Sequence, residues 1–226
     1  FHMLLLGNKF NWKNIFFSME IIVNSATCCI NSNIIFENAN ISLTNSEICI
    51  IMGPNGCGKT TFIKCLCNIQ NLEHGQVLID SIDLRDANSN YLDNILYIGH
   101  KNSLNNDLTV KENLEYLSAL DSTANNNEVN KINDAMEYFD LCRYRDFMVS
   151  TLSEGNKKKT SLARLIMSSK KIWLLDEPLT SLDEISIKNL INLFSEHQKK
   201  GGIIITSSHY DFSESVENFK LFRMEN

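Results

Sequence analysis

Eight consecutive residues, Gly53-Pro54-Asn55-Gly56-Cys57-Gly58-Lys59-Thr60, fit the pattern G-x-x-x-x-G-K-[ST]. Glycines let the backbone turn tightly, so that successive N–H groups point inward at a phosphate. Lys59 sets a compact positive charge where the β- and γ-phosphates of a nucleotide would lie, and the Thr60 hydroxyl suits Mg²⁺. Thr61 follows in the same turn. A second group of chemical residues is Leu174-Leu175-Asp176-Glu177-Pro178. Apolar residues leading into two acids place the carboxylates at the end of a buried strand, the edge where open parallel sheets bind ligands. Asp176 is positioned to support the metal. Glu177, one residue further, can face the γ-phosphate and polarise a water. Read alone, two acids at a strand end also suit a helix N-terminus.

The flanking elements agree with phosphate capture. Ile48-Cys49-Ile50-Ile51-Met52 is a continuous apolar run, as in a buried parallel strand, and Phe62, Ile63, Leu66 and Cys67 recur at helical spacing after the loop. Strand, glycine loop and helix N-terminus together make an anion site. Glu20–Val23 and Ile34–Leu43 read as short strands around the turn Asn31-Ser32-Asn33, with further strands at Gly75–Asp80 and Ile95–Ile98. From about 101 to 169 the pattern is helical, carried by Val110, Leu114, Leu117 and Leu120, then by Ile132, Met136 and Phe139. Strands return at Ile172–Leu175 and Ile203–Ile205. Strands separated by helices predict an α/β fold with a mainly parallel core sheet.

The chain has 226 residues, 43% apolar and 21% charged, which suits one sizeable α/β domain. The expected division is an extension over 1–18 and one domain over 19–226, with a helical subdomain at about 101–169. The residues before Met19 do not resemble the rest and are left out of the fold argument. A net charge of -6 argues against a nucleic-acid-binding face. No apolar run reaches the ~18 residues of a membrane span. The seven cysteines have scattered spacing and read as reduced, packed thiols. Cys65-Leu66-Cys67 could be half a metal site, but on a core helix packing is the commoner use.

Leu152-Ser153-Glu154-Gly155-Asn156 resembles the L-S-G-G-Q signature of ATP-binding cassette (ABC) ATPases. Ser181-Leu182-Asp183 is similar to their D-loop, and His209 to their switch histidine. The resemblance runs from about 20 to 210. It implies a P-loop NTPase fold with an antiparallel β edge and a helical signature subdomain. It implies ATP and Mg²⁺, with Thr60, Asp176 and His100 near the metal and Glu177, His209 and Lys59 in hydrolysis. It also implies a head-to-tail homodimer. There Ser153, Gly155 and Asp183 of one copy would close on the ATP held by Gly53 to Thr61 of the other.

Tyr97-Ile98-Gly99-His100, the stretch Leu108–Leu114 and the run Leu152–Lys159 are similar to the haem-exporter ATPases of cytochrome c maturation, the CcmA family. That likeness implies a peripheral ATPase on the cytoplasmic side of the inner membrane. It would work with an integral membrane permease that meets it around Asn102 to Leu114. Three features depart from the common cassette pattern. His100 stands where glutamine is usual. Neither Cys29 nor Ile30 supplies an aromatic for adenine. Glu154 puts a negative charge near a phosphate, so it must point outward or weaken binding. A cassette for another substrate, or a non-catalytic nucleotide-binding regulator, are the other readings. Cassettes acting on DNA or ribosomes carry long coiled-coil inserts or two cassettes, and this chain has neither.

Overall fold

The structure is a computed structural model, described over residues 19–86, 92–121, 128–212 and 215–225. The expected extension over 1–18 lies outside the described residues. Two sheets organise the chain. The first is antiparallel and holds β1 (Glu20–Ile30), β2 (Asn33–Thr44), β4 (His74–Ile79) and β5 (Ile82–Asp83) in the order β2-β1-β4-β5. The second is parallel and holds β3 (Ile48–Met52), β6 (Ile95–Ile98), β7 (Ile172–Asp176), β8 (Ile203–Ser207) and β9 (Phe219–Arg223) in the order β6-β7-β8-β3-β9. The helices are α1 (Lys59–Leu66), α2 (Val110–Leu120), α3 (Glu128–Tyr138), α4 (Glu154–Leu162), α5 (Arg164–Met167) and α6 (Glu184–Lys199). Helices α2 to α5 all fall between β6 and β7.

The first hairpin turns on Asn31 and Ser32, both at positive φ, which matches the right-handed twist of its strands. Its strands are longer than the sequence pattern suggests. β1 continues from Val23 to Ile30 past Ser25, which lies at φ 46, with register shifts that absorb the break. Gly75 sits inside β4, at φ 82; a Cβ there would lie 2.4 Å from the Ser25 carbonyl oxygen.

The parallel strands are apolar throughout because both faces are covered. Alternation divides them between two cores. Ile48, Ile50, Trp173, Leu175 and Ile204 pack with α2 to α6. Cys49, Ile51, Leu174, Ile203 and Ile205 pack with α1 and the antiparallel sheet. Cys65 and Cys67 lie in this second core, where burial pushes the Cys67 thiol up to about 12. All seven cysteines are free thiols. Both the Cys65 and Cys67 thiols are buried in this second core, and among the described residues no group of three or more His, Cys, Asp or Glu side chains could hold a metal ion.

At the amino edge of the parallel sheet the Trp173 and His197 rings stack, 3.6 Å apart at 11°. His197 Nε2 lies 3.0 Å from the Lys171 carbonyl oxygen. A carbonyl only accepts, so Nε2 carries the proton. Burial, helped by the charges of Lys171 and Lys200, pushes this imidazole down to about 4 against the pull of that bond. The unfolded chain therefore binds a proton that the fold refuses between about pH 6.5 and 4. Stability is expected to fall on acidification from pH 7 to 5, by about 2 kcal/mol from this group. Urea unfolding of wild type and His197→Gln at both pH values checks this: the variant's acid loss should be smaller by that amount.

Candidate nucleotide site

The loop from Gly53 to Gly58 joins β3 to α1. Gly56 and Gly58 lie at φ 87 and 96, in the left-handed region, and Gly58 is the N-cap of α1. A Cβ on Gly58 would also come within 2.9 Å of Ile35 Cγ2. Pro54, Asn55 and Gly56 form the exposed rim, while Cys57 is buried in the core below. Lys59 is 5% exposed, and its ammonium donates to the carbonyls of Gly53 at 2.8 Å and Pro54 at 3.0 Å. It is thus held over the centre of the loop. Thr61 lies in the first turn of α1.

The loop meets the acid pair across 116 residues of chain. Thr60 Oγ1 donates to Asp176 Oδ2 at 2.8 Å. Asp176 is 1% exposed, and its Oδ1 accepts from Ser207 Oγ at 2.7 Å. Ser207 Oγ in turn accepts the Glu177 backbone N–H at 2.9 Å. Sequence reasoning missed Ser207. The available signal was its place at the carboxyl end of the strand next to β7, where it pairs with Asp176.

Glu177 sits at φ 47, a left-handed conformation that costs a non-glycine residue about 1 kcal/mol or more. That turn swings its carboxylate between two imidazoles. His209 Nε2 lies 3.0 Å from Oε1, and His100 Nδ1 lies 3.5 Å from Oε2. His100, expected near the metal or the water, therefore faces Glu177. Its imidazole is 63% exposed.

The residues from Leu152 to Asp183 form a separate group. Ser153 caps α4, accepting the Asn156 N–H at 3.3 Å. Glu154 is 71% exposed and paired with Lys157 at 2.9 Å, so its charge does point outward. Gly155 lies so close to the Ser181 carbonyl that a Cβ would come within 2.8 Å of its oxygen. Asp183 caps α6 through the Ser186 N–H at 2.8 Å and pairs with Lys159 at 3.0 Å. That N–H and the lysine hold its carboxyl well below the usual range. Among the described residues no hydrogen bond links Ser153, Gly155 or Asp183 to the phosphate loop. At the tip of the first hairpin Ile30 and Ile34 are exposed, an aliphatic surface without an aromatic.

Glycine loop, buried acid and flanked glutamate occupy one sheet edge, the arrangement of a P-loop ATPase. The model of the ABC transporter family matches residues 36–180, and the chain belongs to that family. It is an ATPase subunit of this class. Its relatives include the cytochrome c biogenesis ATP-binding export protein CcmA of Aliivibrio fischeri. That protein is 30% identical over 202 residues, covering 89% of this chain and 98% of the relative. The CcmA protein of Pseudomonas syringae pv. syringae is 34% identical over 193 residues, covering 85% and 89%. Among solved structures, an ATP-binding subunit of an ABC transporter superposes with a TM-score of 0.78 at 21% identity, covering 90% of this chain and 87% of that one. A dimeric post-hydrolysis cassette, MJ0796 bound to ADP and Pi, superposes at 0.77 and 20%, covering 91% and 97%. Among the described residues no helix is long and apolar enough to cross a membrane.

Proposed function

We propose that this chain hydrolyses ATP for a membrane permease in the haem-export step of cytochrome c maturation, acting as a head-to-tail homodimer at the cytoplasmic face of the inner membrane. The observation that carries hydrolysis is the Thr60–Asp176 bond, with Glu177 the next residue and His209 3.0 Å from the Glu177 carboxylate. The names of the CcmA relatives support the finer reading.

A hydroxyl beside one carboxylate fits Mg²⁺, which takes few protein ligands and keeps phosphate oxygens and waters. Thr60 and Asp176 would hold it, and it would supply charge neutralisation at the β- and γ-phosphates. Lys59 exchanges its carbonyl partners for phosphate oxygens, and the N–H groups of Gly56 to Thr61 cradle the chain of phosphates. Glu177 accepts the proton of the attacking water, and His209 orients that carboxylate and the γ-phosphate. Ser153, Gly155 and Asp183 make no hydrogen bond to their own loop among the described residues, and in the head-to-tail dimer they would serve a second copy's ATP. The domain division at 19–226, with a helical subdomain over about 101–169, belongs to this proposal, as does docking of the permease around Asn102 to Leu114.

Depleting the protein and assaying assembled c-type cytochromes tests the haem-export reading. Loss of holocytochromes is expected. Normal cytochromes in depleted cells would send the assignment to another cargo.

A further inference from the structure

Helix α4 carries three consecutive lysines with different surroundings. Lys157 pairs with Glu154 and Lys159 with Asp183. Lys158 turns inward. It is 3% exposed, and its ammonium is buried without a hydrogen-bond partner. An ion taken from water without compensation is costly, so its location calls for a counter-charge.

The neighbours of Lys158 fix where it lies. One turn before it, Gly155 abuts the Ser181 carbonyl, and the next residue, Lys159, reaches Asp183. Just beyond the helix, Arg164 donates to the Tyr97 carbonyl on β6 at 3.4 Å, and Tyr97 pairs with Leu174 on β7. α4 therefore packs against the segment that follows β7, and the helix after it reaches β6. Burial draws the Lys158 ammonium below its usual range, and the charges of Asp176 and Glu177 oppose that fall.

Glu177 has His209 and His100 beside it, but Asp176 has no cation among its hydrogen-bond partners. Asp176 accepts from two neutral hydroxyls, Thr60 and Ser207. Lys59 is engaged by loop carbonyls. ATP would bring further negative charge to the same edge.

We propose that Lys158 is a positioning residue for hydrolysis: its enclosed ammonium offsets, from the protein side, the repulsion among Asp176, Glu177 and the polyphosphate, and so holds Glu177 where it can take the proton of water. The inference rests on the reading of Glu177 as the base. A side chain kept only for packing would be replaced by an uncharged one of equal length at no catalytic loss.

The test compares the purified full chain with Lys158→Met, Lys158→Arg and Glu177→Gln in steady-state MgATP hydrolysis and in thermal unfolding without nucleotide. Lys158→Met removes an unpaired buried charge, so its Tm should match or exceed that of wild type. Its kcat should nevertheless fall by about tenfold or more, with KM within about twofold. Lys158→Arg should recover most of the rate. The inference is overturned if Lys158→Met keeps wild-type kcat while Glu177→Gln is inactive, or if its rate and Tm fall together. Full activity in Glu177→Gln would instead remove the underlying reading of the base.

Discussion

Glu177→Gln is expected to slow phosphate release by about 10²–10⁴-fold, the range a positioned general base contributes, while ATP binding stays within about twofold. The substitution keeps the shape of the side chain. The Glu177 backbone N–H still donates to Ser207 Oγ, and the left-handed turn at φ 47 is unchanged. Lys59, Thr60 and Asp176, which meet the phosphates and metal, are untouched. The capacity to accept a proton is lost, together with the negative charge that faces His209 and His100. Release of labelled phosphate, measured beside equilibrium binding of ATP, separates the two quantities. Hydrolysis at the wild-type rate would end the case for this carboxylate as the base. A matching loss of ATP binding would show that its charge serves capture rather than chemistry.

Gly202→Ala is expected to destabilise the fold by about 2–4 kcal/mol, from overpacking plus a lost hydrogen bond. An added methyl would lie 2.1 Å from His197 Nε2 and 2.2 Å from its Cδ2. The ring cannot easily yield. Trp173 covers one face at 3.6 Å, and the Lys171 carbonyl holds Nε2. Moving it breaks that bond and opens the stack. For a chain of this size the Tm should drop by about 4–16 °C. ATP affinity of the folded protein should not change, because Gly202 precedes β8 at the sheet edge opposite Ser207 and Asp176. His197→Ala in the same background should recover part of the loss. An unaltered Tm in Gly202→Ala would show that the ring has room to leave.

The parts of this architecture that read clearly from sequence are those with local signatures. The apolar run before Gly53, the glycines of the loop and the acids after Leu175 each carry their meaning within a few residues. β1 read as ending at Val23 because Asn24 and Ser25 interrupt the apolar pattern, and only pairing with β2 and β4 carries the strand onward. β9 was not foreseen: Phe219–Arg223 is largely exposed and basic, and it becomes a strand by pairing alongside β3. In the site, Asp176 and Glu177 were legible, but Ser207 was a serine among serines until register set it opposite Asp176. Three adjacent lysines look alike in sequence. Lys157 finds Glu154 on its own helix, whereas tertiary structure alone brings Lys159 to Asp183 and encloses Lys158.

The hold of Gly53 and Pro54 on Lys59 bears on the speed of capture. The ammonium already rests over the hollow, and its two carbonyls keep the turn from collapsing. Much of the ordering that an arriving triphosphate would demand has been completed during folding, as in other preorganised receptors. Association should then be governed by encounter, with little delay from rearrangement of the turn.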